Sequence, residues 1–156
     1  MKKIDKMTPE EVRALIRKGE WQKPTSGLAM GYAQANLVVL PKKYAFDFLL
    51  FCQRNPKPCP LLEVLEAGKY ITETLAAGAD ITTDIPLYNV YKKGKLESTI
   101  QNIKDIWQDD FITFLLGCSY SFEEALLKVK VPVRHIEEKK NVSMYLTNIA
   151  CMQAGT

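Results

Sequence analysis

A short, uninterrupted apolar run closed by a proline constrains the fold of this chain more than any other feature. Residues 37–40, LVVL, are partly β-branched and are followed by Pro41, which is typical of a strand buried on both faces. The stretch 43–54, KYAFDFLLFCQR, has a wide apolar helical face, and the proline-rich segment 55–60 cannot continue that helix. Residues 61–64 then predict a second short strand.

Two further helices are predicted from their capping signals. The sequence TPEE at 8–11 combines an N-cap hydroxyl, a first-turn proline and a glutamate three residues after the cap. With Gly19 placed to end it, this pattern predicts a helix over 9–18. The sequence SFEE at 121–124 reads as a second capping box and predicts a helix that opens at Ser121 and runs to about Lys128.

Other apolar or alternating runs predict strands, whereas residues 66–83 fit neither pattern. The predicted strands are 84–91 (DIPLYNVY), 111–117 (FITFLLG), 131–136 (VPVRHI) and 142–149. Helices and strands therefore alternate, and the short KKGK and EEKKN links permit antiparallel neighbours while intervening helices permit parallel ones. We expect one α/β or α+β domain over 1–156, with a mixed β-sheet and flanking helices.

The composition is that of an ordinary globular domain, with 47% hydrophobic and 25% charged residues. The net charge of +3 comes from dispersed basic residues, so we expect no nucleic-acid partner. No apolar stretch approaches the roughly 20 residues of a membrane span, so we expect no membrane contact. The N-terminal MKKIDKMTPEE lacks the apolar region of a signal peptide, which indicates a cytoplasmic protein.

The cysteine and motif content predicts neither a metal site nor a cofactor. Four cysteines include no CxxC pair, and a single histidine accompanies them, so we predict reduced thiols and no metal. Spacing alone would allow a disulfide between Cys52 and Cys59. The sequence contains no P-loop, GxGxxG, HExxH or GxSxG motif.

The stretch 117–121, GCSYS, is the most informative one for chemistry, because it is a predicted turn between a strand and a capped helix. Backbone N–H groups at a helix start, reinforced by the helix dipole, can bind a carboxylate or stabilise an oxyanion. Ser119 and Ser121 would add hydroxyl groups, although Ser121 also has a purely structural interpretation as a helix cap. A buried, inert thiol is a simpler interpretation of Cys118 than a nucleophile activated by His135.

The pair Arg134-His135 is the second candidate, since it places a fixed positive charge beside the only imidazole of the chain. Neighbouring residues on a strand face opposite ways, so only one of the two can point into a given pocket. Polar residues in otherwise apolar strands complete the set, either as substrate contacts or as partners of backbone groups: Asn36, Asp84, Tyr145, Thr147 and Asn148.

Four long stretches carry a resemblance to a known family. They are GYAQANLVVLPKKYAFDFLLFCQRNPKPCPLLEV at 31–64, DIPLYNVYKKGKL at 84–96, DDFITFLLGCSYSFEEALL at 109–127 and VPVRHIEEKKNVSMYLTNIACMQAG at 131–155. In these the sequence resembles the bacterial YcsI-like hydro-lyases, which are related to D-glutamate cyclase. Such long strings in the same order identify relatives better than they identify catalytic atoms.

The resemblance implies a three-layer α/β part joined to a smaller α/β part. It also implies a chain that continues well beyond the AG at 154–155, so we expect the C-terminal segment of the family to be missing here. The implied activity is the cyclisation of D-glutamate, a small amino-acid substrate, to 5-oxo-D-proline with loss of water.

Fitted to this reaction, His135 is predicted as general acid/base and Arg134 as a clamp for a carboxylate. Ser119 is the third predicted catalytic residue. Substrate binding is assigned to the rest of the anion-binding turn and to polar strand residues: Cys118, Ser121, Tyr145, Asn148 and Asn36.

Two other functions stay open at this point. One is a hydro-lyase that acts on another small carboxylic acid. The other is a non-catalytic protein derived from the family, which either binds carboxylates or assembles into a homo-oligomer through an exposed sheet edge.

Overall fold

The computed structural model describes residues 4–140 and 146–155 of the chain. Their helices and strands belong to two structural units, each made from two stretches of sequence. Met1–Met30 and Gly68–Asp109 form the first unit, and Gly31–Ala67 and Asp110–Thr156 form the second. In chain order the elements are α1 Pro9–Arg17, β1 Ala35–Pro41, α2 Lys42–Arg54, β2 Leu61–Leu65, β3 Tyr88–Lys92, β4 Lys95–Ile100, β5 Phe111–Gly117, α3 Tyr120–Lys128 and α4 Arg134–Glu137.

Helix α1 of the first unit begins and ends as its sequence predicts. The Glu11 N–H donates to Thr8 Oγ1 at 3.3 Å, and the Thr8 N–H donates to Glu11 Oε2 at 2.7 Å, which completes a capping box. At the other end Gly19 adopts φ +73°, a conformation that costs glycine little. The apolar face of α1 contributes Val12 and Ile16 to a small core that also contains Leu28 and Ala29.

Strands β3 and β4 form an antiparallel hairpin in the same unit. The turn between them places Lys93 at φ +49° and Gly94 at φ +75°, as a tight turn that follows the strand twist requires. The prediction of a strand over 84–91 is correct only for its second half, because Asp84 precedes β3. Its buried carboxylate instead accepts two hydrogen bonds from Arg17 Nη1, at 2.7 and 2.8 Å.

The second unit is built on a three-stranded sheet of order β1-β5-β2, in which β5 pairs antiparallel with both neighbours. Phe114, at the centre of β5, is 1% exposed. Phe48 of α2 packs edge to face on it, with ring centroids 4.9 Å apart. The predicted α/β or α+β class is therefore confirmed in its α+β form. The expected mixed sheet is not found among the described residues, where every strand pair is antiparallel.

The prediction of a strand over 131–136 is wrong, because Arg134–Glu137 form the short helix α4. The Glu137 N–H donates to the Val133 carbonyl at 3.1 Å, and Arg134 Nε contacts Glu138 Oε1 at 2.8 Å one turn further on. These helical contacts outweigh the β propensity of the valines at 131 and 133. Of the predicted strand 142–149, residues 142–145 lie outside the described residues, and 146–149 form no strand.

Helix α3 starts one residue earlier than predicted, at Tyr120, and Ser121 does not cap it. The Ser121 hydroxyl accepts a hydrogen bond from the Gln34 N–H at 3.0 Å and donates to the Gln34 carbonyl at 3.3 Å. The expected capping box at 121–124 is thus replaced by a link between the helix and the segment that leads into β1.

The structure also bears on the cysteines and on membrane-spanning helices. Cys52 and Cys59 are free thiols, so the spacing between them does not produce a disulfide. In the part of the chain that the structure describes, no helix combines the length and the apolar character needed to cross a bilayer.

Candidate functional site

The turn between β5 and α3 is fixed by its glycine. A Cβ atom on Gly117 would lie 3.3 Å from Pro60 Cγ and 3.5 Å from the methyl groups of Leu62. The Gly117 N–H donates to the Pro60 carbonyl at 2.8 Å. Because glycine allows this close approach, β5 stays paired to its last residue, and Cys118 and Ser119 follow at the end of the sheet.

A carboxylate on α3 joins a serine at the start of that helix to the histidine of α4. Ser119 Oγ donates to Glu123 Oε1 at 3.0 Å. The other carboxylate oxygen, Oε2, lies 3.3 Å from His135 Nε2. The side chains of Glu123 and His135 are only 12% and 7% exposed, so these contacts are largely protected from competition by water.

Helix α4 separates the two members of the Arg134-His135 pair. Successive helical residues project about 100° apart, and here the His135 side chain is buried while that of Arg134 is 75% exposed. The His135 ring lies near the Tyr120 ring, with centroids 6.4 Å apart. The guanidinium of Arg134 is engaged by Glu138 rather than directed at Glu123.

Cys118 is held as a neutral thiol. Its Sγ donates to the Gln34 carbonyl at 3.5 Å. Burial raises the pKa of the Cys118 thiol, and the negative charge of Glu123 raises it further, against the opposing effect of the Tyr120 and Ser121 N–H groups at the helix start. A protonated thiol at neutral pH is a poor nucleophile, in agreement with the simpler interpretation of this residue.

The remaining predicted residues have different surroundings. Asn36 lies on β1 opposite Leu116 and is exposed. Asn148 is exposed in the stretch 146–155. Tyr145 lies outside the described residues. The structure thus brings Cys118, Ser119, Ser121 and His135 together at the start of α3.

Sequence reasoning missed Glu123 as a member of this site. The Glu123 carboxylate links two of the predicted catalytic residues, Ser119 and His135. The signal available was the spacing between Ser119 and Glu123, because residues four apart lie on the same face of a helix. Contact with His135 depends on how α4 packs and has no signal in local sequence.

Chemically, the arrangement offers a buried imidazole whose Nε2 lies 3.3 Å from a carboxylate oxygen, beside backbone N–H groups at a helix start. The imidazole and its neighbouring carboxylate can take up and release a proton. The backbone N–H groups at the helix start favour negative charge. Together they suit a reaction in which a proton moves while charge develops on a carboxyl oxygen.

Fold and site define an α+β protein with a candidate acid–base centre, and comparison with known proteins gives its family. Residues 112–156 match the sequence profile of the family described as D-glutamate cyclase. Over 97% of its length the chain is 56% identical to Putative hydro-lyase of Bacillus licheniformis, covering 58% of that protein. Over 96% of its length the chain is also 57% identical to Putative hydro-lyase YcsI of Bacillus subtilis, covering 58% of that protein. It is 57% identical, again over 96% of its length, to Putative hydro-lyase of Clostridium beijerinckii, covering 57% of that protein.

The chain belongs to the YcsI-like hydro-lyase family, as its long sequence stretches predict. It spans 57–58% of the length of these relatives.

Proposed function

We propose that this chain carries the acid–base site of a hydro-lyase that cyclises D-glutamate to 5-oxo-D-proline. The observation that carries the proposal is the buried His135 imidazole, 3.3 Å from the Glu123 carboxylate at the start of α3. The family profile matched by residues 112–156, which is described as D-glutamate cyclase, supports this choice of substrate. That region contains every residue of the pair and of the adjoining turn.

The proton balance of the reaction fits a single shuttling group. The substrate ammonium must lose one proton before its nitrogen can attack the γ-carboxyl carbon, and it loses a second proton as the amide forms. The departing carboxyl oxygen takes up two protons and leaves as water, so the transfers cancel. An imidazole that accepts protons from nitrogen and returns them to oxygen can perform both tasks.

Charge develops on the γ-carboxyl oxygens as the tetrahedral intermediate forms, and the start of α3 is suited to stabilise it. The Tyr120 and Ser121 N–H groups act to lower the pKa of the Cys118 thiol, against the larger effect of burial, so they favour negative charge at this turn, as the helix dipole does. We therefore assign substrate carboxylate binding to the turn formed by Cys118, Ser119 and Ser121.

Arg134 can act as a carboxylate clamp only if its guanidinium leaves Glu138. This role, like the substrate contacts assigned to Asn36, Tyr145 and Asn148, stays a prediction.

The test is an NMR time course of D-glutamate and L-glutamate with the purified 156-residue chain. We expect 5-oxoproline from the D enantiomer alone. His135→Gln should lower the rate by about 100-fold or more, whereas Glu137→Gln, an exposed change on the same short helix, should leave it unchanged.

Turnover that is undiminished in a folded His135→Gln variant would overturn the assignment of this residue. A folded parent chain that forms no 5-oxoproline from D-glutamate would overturn the proposed reaction for this chain. In that case a panel of small carboxylic acids separates a hydro-lyase with another substrate from a protein that only binds carboxylates.

A further inference from the structure

We propose that Glu123 is a positioning residue that fixes the protonated ring nitrogen of His135 and the hydroxyl proton of Ser119 at the same time. The proposal rests on the proposed function only for its effect on turnover, because the arrangement of protons is a property of the chain without substrate. Glu123 is not among the site residues that the sequence predicts.

The two oxygens of Glu123 are used separately, one for each partner. Oε1 receives the Ser119 hydroxyl at 3.0 Å, and Oε2 lies 3.3 Å from His135 Nε2. Ser119 is the residue immediately before α3, Glu123 lies one turn into it, and His135 belongs to α4. The carboxylate therefore connects two helices as well as two functional groups.

The chemistry of these groups dictates where the protons lie. An ionised carboxylate is only an acceptor, so both neighbours must donate to it. A neutral imidazole has one N–H, and donation from Nε2 leaves its basic lone pair on Nδ1. Ser119 likewise directs its proton to Glu123, so its oxygen acts as an acceptor toward any further partner.

Burial makes this bridge strong. A carboxylate that is 12% exposed loses most of its hydration and requires donors from the protein in compensation. Hydrogen bonds to an ionised acceptor are about twice as strong as those between neutral groups. Two such bonds hold His135 and Ser119 in one orientation and so prepare them before substrate binds.

The adjacent Glu124 provides a matched control on the same helix. Its carboxylate pairs with Lys128 at 2.9 Å, and its side chain is 27% exposed. A change from glutamate to glutamine at either position removes one charge from α3 without altering side-chain length. Only the change at position 123 alters a partner of His135.

The experiment is ¹⁵N NMR of the chain without substrate, near neutral pH. Because the chain has a single histidine, its ring nitrogens can be assigned without ambiguity. We expect a protonated Nε2 whose hydrogen exchanges slowly with solvent, and an unprotonated Nδ1. Glu123→Gln should speed exchange of that hydrogen by about tenfold or more, because a neutral acceptor binds it more weakly, whereas Glu124→Gln should leave it unchanged.

A ring proton on Nδ1 in the parent chain would overturn the proposal, and so would a slowly exchanging Nε2 hydrogen that survives in Glu123→Gln. Unchanged amide signals across β5 show that each variant is folded. Failure of D-glutamate turnover would leave these spectra unaffected, so the two proposals fail separately. If the chain does cyclise D-glutamate, Glu123→Gln should lower kcat by about tenfold or more and leave KM nearly unchanged.

Discussion

Tyr88 shows how a single buried polar group makes the stability of the chain depend on pH. Its side chain is buried, its O–H donates to the Ile81 carbonyl at 2.8 Å, and its oxygen accepts the Ile85 N–H at 3.2 Å. Burial raises the pKa of the Tyr88 hydroxyl well above its usual value, and the negative charges of Asp84 and Asp80 add to the effect. The folded chain therefore retains this proton after an unfolded chain has lost it.

The sign of the pH dependence follows from this difference. The stabilising contribution is complete below the pKa of an unfolded tyrosine, about 10, and is lost above it at up to about 1.4 kcal/mol per pH unit. Tyr88→Phe should reduce the free energy of unfolding by about 1–3 kcal/mol at pH 7, and this deficit should shrink between about pH 10 and 11. Urea unfolding of the parent chain and of Tyr88→Phe at several pH values measures this deficit.

The matched control for this prediction is Tyr91→Phe, because Tyr91 is 63% exposed on the same strand. The unfolding free energy of Tyr91→Phe should differ from that of the parent by a constant amount across the pH series. If the curves of the parent and Tyr88→Phe stay parallel up to pH 11, Tyr88 is not the group that carries the alkaline sensitivity.

At the scale of elements, the sequence predicts a helix or strand correctly where its end signals and its apolar pattern agree. Helix α1 has both a capping box and Gly19, and β1 has its apolar run ended by Pro41. Strand β4 was missed because KLESTI is largely exposed and offers little apolar pattern. The prediction of a strand over 131–136 fails because Val131 and Val133 favour β structure locally, whereas the contacts that stabilise α4 form only in the folded chain.

In the candidate site, too, local sequence predicts some residues and leaves others to the packing of the helices. Ser119 and His135 could be selected from their chemistry and from the turn that precedes α3. The contact between Glu123 and His135 joins residues twelve positions apart on different helices, so no helical or strand periodicity relates them. Packing alone decides that Glu123, rather than Glu124, meets the imidazole.

Asn55, the residue that follows α2, holds the C-terminal stretch 146–155 against this helix. It is 7% exposed, its Nδ2 donates to the Phe51 and Met152 carbonyls at 2.8 and 2.9 Å, and its Oδ1 accepts the Met152 N–H at 2.8 Å. One amide side chain thus pairs with both backbone groups of Met152, as a neighbouring strand would.

Asn55→Ala should release this contact and speed hydrogen exchange of the Met152 amide by about tenfold or more, since a hydrogen bond of about 1–1.5 kcal/mol is lost. Asn55→Asp keeps an acceptor for the Met152 N–H but sets an ionised oxygen, instead of a donor, against the Phe51 and Met152 carbonyls, so exchange should be at least as fast as in Asn55→Ala. Amide exchange followed by NMR distinguishes the three chains. Equal protection of Met152 in all of them would show that other contacts hold the segment.

At the scale of the whole molecule, family membership and substrate are separate questions. The relatives named as hydro-lyases are matched over 57–58% of their length. Binding can nevertheless be tested on the entire chain, because any ligand that binds the folded form alone shifts the unfolding equilibrium. The size of the shift depends only on ligand concentration and affinity, whether or not turnover follows.

If the start of α3 binds the substrate as proposed, D-glutamate at about 100 times its Kd should stabilise the chain by about 2.7 kcal/mol. For a chain of this size the corresponding rise in Tm is roughly 5–10 °C. L-Glutamate at the same concentration and ionic strength should raise Tm less, because the geometry required for cyclisation distinguishes the enantiomers. Equal shifts from both enantiomers, or from chloride at matched ionic strength, would indicate non-specific anion binding and would contradict a site built for D-glutamate.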